Sequence, residues 1–318
     1  MAVEELLHKL SRDRWLTTGE YAELLTQPGL REARLLADRV RREQFGTKVY
    51  LRGLIDMGSI CRFDCPHCHQ RSGADCFRYR MRPREILDCC EEAEALDLRS
   101  LLLRSSPDQF YTDRMLTGLI DKLRYHFPGF AVGLALGERS RESYERLFNA
   151  GADRYLMRHE CADRGLYESL HPAGMSWENR MHCLNVMKEV GYQSGCGFIV
   201  GLPGQTAAHL AEDLNYIEEY EPHMVDISPF IPQPGTPFAD AAPGDRELTH
   251  YLLSIIRLIL PNVLLMAQDA DGILAGANVI CQTLYPVDPS GEHLASLQRS
   301  LSDMGFEGVT DRGDWAEP

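Results

Sequence analysis

Three cysteines stand four and three residues apart in the segment Gly58-Ser-Ile-Cys61-Arg-Phe-Asp-Cys65-Pro-His-Cys68-His-Gln-Arg71. Thiolates are soft ligands, and three at this spacing can wrap three irons of one 4Fe–4S cubane. The fourth iron is then left without a protein ligand and is open to a cofactor or substrate. Zinc is the competing occupant, with His67 or His69 as a fourth ligand. Structural zinc sites usually pair two short knuckles, and the sequence holds no second one, so iron–sulfur is the stronger reading. The remaining seven, Cys76, Cys89, Cys90, Cys161, Cys183, Cys196 and Cys281, are scattered. They read mostly as small buried apolar residues.

The cysteine spacing resembles the signature of the radical S-adenosylmethionine (SAM) superfamily. That resemblance implies SAM on the open iron and a reaction begun by a 5′-deoxyadenosyl radical. Other strings are read against it. Gly197, Ile199 and Gly201 fit the G-x-I-x-G pattern that contacts adenine in the superfamily, because glycine permits close backbone approach and isoleucine offers an apolar wall. Small residues serving strand packing are the plain alternative. Arg158-His159-Glu160 ends an apolar run, so Glu160 could accept from the SAM ammonium and Arg158 or Arg180 could fork onto its carboxylate. A structural ion pair is the alternative. Ser176 is placed to cap the helix that carries Arg180. Ile231 sits in a loop with four prolines, Pro229–Pro237, where it could pack on adenine or belong to a merely stiff connection. Ser105, Ser106 and Asp108 could meet the polar end of SAM or simply cap a helix. His67 stands where many superfamily members carry an aromatic, and it is counted with the SAM contacts.

These residues need elements to hold them. Residues 1–45 read as helices forming an N-terminal extension. Strand-like runs follow at Lys48–Met57, Ser100–Arg104, Ala131–Leu136, Asp153–Arg158, Gly195–Val200, Met224–Pro229, Val263–Ala267 and Ala277–Ile280. Helical runs lie between them, among them Arg82–Leu96, Arg114–Tyr125, Arg141–Ala150, Trp177–Val190, Ala207–Tyr220 and Leu248–Leu260. Near-continuous apolar runs suit strands covered on both faces. Eight βα units predict a complete (βα)8 barrel of the α/β class over 46–281, with 282–318 as a C-terminal segment packed on it. A doubly wound open sheet is the competing arrangement. In a barrel, the cysteine loop follows the first strand and lies at the C-terminal mouth, where such folds place chemistry.

Composition narrows the class further. The chain is 44% hydrophobic and 25% charged, with a net charge of −14. An average surface of that sign repels polyanions, which argues against nucleic acid. No apolar run reaches the ~20 residues of a membrane span, and Leu252–Leu265 is broken by Arg257 and Pro261. The acidic N-terminus is unlike a secretory signal. A cytoplasmic protein is therefore expected, and disulfides are not.

Seven strings carry a closer resemblance. They are Tyr79-Arg-Met-Arg-Pro83, Gly151-Ala-Asp-Arg-Tyr155, Arg158-His-Glu160, Ser176-Trp-Glu-Asn-Arg180, Gly201-Leu-Pro-Gly-Gln-Thr206, Pro229-Phe-Ile-Pro232 and Gly276-Ala-Asn-Val279. Over roughly residues 30–280 the chain resembles the HydE family, the radical SAM maturases of the FeFe-hydrogenase H-cluster. The resemblance implies that Cys61, Cys65 and Cys68 bind one 4Fe–4S cluster, that Arg158, Glu160 and Arg180 bind SAM, and that Arg154 and His159 border the substrate cavity. It implies a small organometallic substrate, an iron carrying CO, cyanide and cysteine, received from the maturase HydG. The radical would attack the substrate's sulfur, and the product would pass to the scaffold HydF. A low-potential donor, ferredoxin or flavodoxin, would reduce the cluster, and an oxygen-labile cluster implies an anaerobic host.

The chain departs from the family pattern in several places. Ser106-Pro107 replaces a Gly-Glu pair, and the C-terminal CxxC of some members is absent, so no second cluster is expected. The family's longer loops after the seventh and eighth strands are also missing, and residues are expected to be lacking from the sequence there. A methylornithine-synthase-like mutase on the same barrel, or a non-catalytic iron–sulfur protein, are the other readings.

Overall fold

The computed structural model describes residues 2–285 and 292–316. Its centre is a ring of parallel strands: β1 (Lys48–Gly58), β2 (Ser100–Ser105), β3 (Ala131–Ala135), β4 (Arg154–Leu156) and β5 (Gln193–Cys196). The ring continues through β7 (Met224–Asp226), β9 (Leu264–Ala267) and β10 (Val279–Tyr285), and β10 pairs back onto β1. Closure rules out the open sheet and makes this the expected (βα)8 barrel. No helix among the described residues is long and apolar enough to cross a membrane.

Alternation along β1 shows how the barrel is filled. Val49, Leu51, Ile55 and Met57 belong to the large outer core under the helices. Leu54 points the other way and packs inside the barrel with Leu102, Leu156, Met224, Leu264, Met266 and Val279. This is the period-two alternation of a strand. The outer layer includes α4 (Pro83–Ala95), α5 (Asp113–His126), α6 (Arg141–Asn149), α8 (Trp177–Val190), α9 (Ala207–Tyr220) and α10 (Arg246–Ile259). Helices α1 (Val3–Asp13), α2 (Thr18–Thr26) and α3 (Leu30–Phe45) form the extension. They bury Leu6, Leu10, Tyr21, Leu24 and Leu36 in the same core.

Several strand bounds differ from the sequence expectation. The fifth and sixth runs are each cut in two, and the second pieces, β6 (Ile199–Val200) and β8 (Ser228–Pro229), pair only with each other. Gly197, at φ +155°, stands at the first break, and a Cβ there would lie 1.8 Å from the Asp226 carbonyl oxygen. The eighth strand begins at Val279 and runs to Tyr285, aligned with β1 from Tyr50 to Ile55. A boundary at 281 therefore falls inside a strand rather than at its end. Helices α7 (Arg164–Leu170), α11 (Ala270–Leu274) and α12 (Glu292–Asp303), with β11 (Glu307–Val309), lie outside the runs read from the sequence. After β9, Asp269 caps α11 directly through its carboxylate on the Gly272 N–H at 2.8 Å, so the connection there is short. β11 joins the start of β1 at Lys48–Tyr50. The chain beyond it turns under the barrel, where Gly313 meets Tyr50 and Trp315 packs on the interior cluster.

Candidate functional site

The cysteine loop leaves β1 at its C-terminal end and is tied down by its own backbone. Ser59 Oγ donates to the Phe77 carbonyl at 2.7 Å and accepts from the Tyr79 N–H at 3.0 Å. Arg78 reaches inward and donates to four carbonyls: Ser59 at 2.6 Å, Gln70 at 2.9 Å, Arg71 at 2.6 Å and Ala74 at 2.9 Å. Asp64 accepts from Arg71 Nε and from the Gly73 N–H. Gln70 meets the hydroxyl of Ser106 at the end of β2 at 2.5 Å. The loop is thus shaped by a planar guanidinium spanning several acceptors, which a lysine cannot reproduce.

All ten cysteines are free, and five of the seven scattered ones are buried; Cys76 and Cys281 are half-buried. Cys61, Cys65 and Cys68 are close enough to disturb one another's ionisation. Burial pushes all three thiols up, Cys65 to about 12. The Phe63 N–H points at Cys61 Sγ at 3.4 Å, and the N–H groups of Gln70 and Arg71 point at Cys68. Such donors stabilise a thiolate once a metal has displaced its proton. Among the described residues no three His, Cys, Asp or Glu side chains converge on one ion position.

Glu160 stands beside this loop in a strained left-handed conformation, φ +67°. Its N–H donates to the Gly197 carbonyl at 3.1 Å, and its Oε2 is buried without a partner. Burial works against its charged form, but Arg158 and Arg180 outweigh that and hold the carboxyl below the ordinary carboxylate range. Its charge is felt at Cys65, Cys68 and His67. A buried carboxylate oxygen without a hydrogen-bond donor is costly unless a ligand supplies one, so the ammonium of SAM fits here.

His67 is pushed down by burial, and its Nδ1 has no partner; its ring meets His171 edge-on at 5.4 Å. Arg180 is buried, with Nε on Glu138 Oε1 at 2.8 Å and Nη1 on the Arg158 carbonyl at 2.9 Å. Arg158 grips Asp226 Oδ2 at 2.7 and 2.9 Å, and Gln268 donates to Oδ1 of the same group at 3.1 Å. Arg104 pairs with Asp56 at 2.7 Å. Its side chain is 51% exposed although it stands on a barrel strand, which marks the mouth as open and polar.

Other candidates are placed differently. Ser105 is buried and donates to the Ser106 carbonyl. Ile199 lies in β6, and Ile231 is 64% exposed. What demands glycine at 197 and 201 is backbone packing, since a Cβ at 201 would come within 2.5 Å of Gly244. Two expected cavity residues need correction. Arg154 opens β4 at the opposite end of the barrel, where it donates to Ser100 Oγ, the carbonyls of Arg312 and Gly313, and Asp314. His159 turns outward, is fully buried, and meets Asp213 of α9 at 3.2 Å. Neither side chain borders the mouth. Sequence reading missed Glu138, Asp226, Asp56 and Arg104. Each is a charged residue within or just beyond an apolar strand run, the signal that could have found them.

The radical SAM superfamily model matches residues 55–217. The FeFe-hydrogenase maturase subunit HydE of Thermotoga maritima is 38% identical over 90% of this chain and 85% of its own length. The chain belongs to the HydE family of radical SAM enzymes. A 3-methylornithine synthase of Methanosarcina acetivorans is 26% identical, over 84% of this chain and 78% of that one. The crystal structure of methylornithine synthase (PylB) superposes with a TM-score of 0.86 at 23% identity, covering 96% and 97% of the two chains, so the HydE-type barrel is shared well beyond close relatives. Family membership implies the 4Fe–4S cluster and SAM, and makes this an enzyme of hydrogenase maturation.

Proposed function

We propose that this chain initiates radical chemistry on a small iron–cysteine complex during assembly of the FeFe-hydrogenase diiron subcluster. The observation that carries the site assignment is the unpaired Glu160 carboxylate lying beside the three-cysteine loop. Cys61, Cys65 and Cys68 are the cluster ligands in this reading. When bound, the cluster and SAM supply a 5′-deoxyadenosyl radical, a cofactor chemistry that the protein orients and shields. Glu160 accepts the SAM ammonium. Arg158 and Arg180 offer positive charge to the carboxylate, while Asp226 and Glu138 hold the two guanidiniums in place. His67, Ser105, Gly197, Ile199 and Ile231 complete the SAM surroundings.

The polar mouth supports the substrate class. Arg104 and Asp56, with Arg158, Asp226 and Gln268, provide paired charges and hydrogen-bonding groups for an iron carrying CO, cyanide and cysteine. HydG as source, HydF as recipient, a low-potential donor and a cytoplasmic setting belong to the same proposal. Anaerobic reconstitution with iron, sulfide, SAM and dithionite tests its core. Release of 5′-deoxyadenosine is expected, and Cys65→Ala should abolish it. No 5′-deoxyadenosine from the reconstituted wild type would sink the assignment.

A further inference from the structure

Among the described residues four that are not glycine have a left-handed backbone. Arg14, Asp97 and Glu221 stand at helix ends, where that conformation is common. Glu160 instead follows a strand. A conformation of this kind persists only where the surroundings over-determine it, and the contacts that do so lie on both sides of Glu160. Upstream, the Arg158 carbonyl accepts from Arg180 Nη1 at 2.9 Å. At the bend, the Glu160 N–H donates to the Gly197 carbonyl at 3.1 Å. Downstream, the Ala162 carbonyl accepts from Trp177 Nε1 at 2.9 Å. Asp213 of α9 reaches across the bend from behind the barrel wall. Its Oδ1 accepts from the Ala162 N–H at 2.6 Å and stands 3.2 Å from His159 Nε2. One oxygen thus ties the residue before Glu160 to the second residue after it.

Packing does not account for Asp213. Its side chain and that of His159 are fully buried, and it interrupts the buried apolar stripe of Leu210, Leu214 and Ile217 on α9. Asp213 Oδ2 and His159 Nδ1 have no hydrogen-bond partner among the described residues, and the imidazole lies against the rings of Phe198 and Tyr216. Half-satisfied polar groups in such surroundings cost stability, so what the pair contributes is a fixed geometry. From this geometry we infer that Asp213 and His159 are positioning residues for SAM: they hold the bend that aims the Glu160 carboxylate at the SAM ammonium. The inference rests on the reading that Glu160 accepts that ammonium. Without the clamp the bend is free to relax toward ordinary backbone angles. Re-aiming the side chain by about 1 Å is enough to lose most of a directional contact.

Equilibrium titration of the reconstituted enzyme with SAM and with 5′-methylthioadenosine tests the inference. The second ligand keeps the adenosine and the sulfur but has no ammonium for Glu160 to meet. Asp213→Leu should weaken SAM about tenfold, and Asp213→Asn, which keeps the accepting oxygen, should stay within about threefold of wild type. Both should bind 5′-methylthioadenosine as wild type does. Glu160→Gln should itself weaken SAM about tenfold or more, and adding Asp213→Leu to it should change the affinity by less than about twofold, because the two act through one contact. Three results would overturn the clamp: wild-type SAM affinity in Asp213→Leu, equal weakening of both ligands, or losses that multiply in the double variant. The last two are what a merely structural role gives. Should Asp213→Leu not fold, His159→Phe takes its place, with a loss of about threefold expected for SAM alone; unchanged affinity there refutes the clamp. Wild-type SAM affinity in Glu160→Gln would sink the ammonium reading and the inference with it, whereas failure of the clamp alone leaves that variant weak.

Discussion

Replacing Arg78 should loosen the cluster loop without unfolding the barrel. Its guanidinium makes four charge-assisted hydrogen bonds of 2.6–2.9 Å to the carbonyls of Ser59, Gln70, Arg71 and Ala74. At roughly 1.5–3 kcal/mol each, the gross loss in Arg78→Met is about 6–12 kcal/mol. The loop is only partly buried, so water replaces about half, leaving about 3–6 kcal/mol. That loss corresponds to at least about a hundredfold rise in the open population of the loop. Amide exchange in residues 59–76 should accelerate by that factor, while exchange in the strands stays slow. Iron and sulfide per chain after reconstitution should fall well below four. Arg78→Lys keeps the charge but has one nitrogen in place of a fork, so it should rescue only part of the cluster content. If Arg78→Met takes up a full cluster and its loop exchanges at the wild-type rate, the staple argument is wrong.

Three further outcomes follow from the geometry. Glu138→Gln removes the carboxylate that holds buried Arg180, so SAM should bind about tenfold to a hundredfold more weakly in equilibrium titration; unchanged affinity refutes that role. Arg154→Met should cost about 2–4 kcal/mol of stability by unpairing Ser100 and the C-terminal turn, read from the urea midpoint. It should leave SAM affinity alone, and a loss of SAM binding would restore Arg154 to the mouth. His171 is pushed down by burial from 6.5 to about 4, while its Nδ1 contacts the Tyr167 carbonyl. The unfolded chain then binds the extra proton first, so this contribution to stability is complete above pH ~6.5 and lost as pH falls toward about 4. Thermal unfolding of wild type and His171→Phe across that window should show a steeper acid slope in the wild type.

The cysteine loop and the barrel were readable for different reasons. The proposed ligands Cys61, Cys65 and Cys68 lie within eight residues, so their chemistry is local and spacing expresses it. The eight βα units are readable because strands covered on both faces leave long apolar runs. Strand bounds differ from the apolar runs where glycine and proline interrupt them. Gly197 divides β5 from β6, and Pro229 ends β8. The eighth strand runs past the expected Ala277–Ile280 to Tyr285, because residues Cys281 to Tyr285 lack a continuous apolar signature.

What the amino-acid order determined alone is the spacing of the cysteine triad proposed to hold the cluster, the alternation of strands and helices, and the presence of charged residues near strand ends. The tertiary structure decided which of those charges meet. Arg154 and Arg158 lie on one strand run and one face of it, yet four residues of rise separate them by about 13 Å. One is consumed by the C-terminal turn and the other grips Asp226 at the mouth. His159, a single residue on and beyond the end of β4, meets Asp213 of α9 instead. Glu138 and Arg180, 42 residues apart, become partners only when β3 and α8 are brought to the same rim. Such pairings depend on register and barrel closure, both long-range properties that no short stretch of sequence carries.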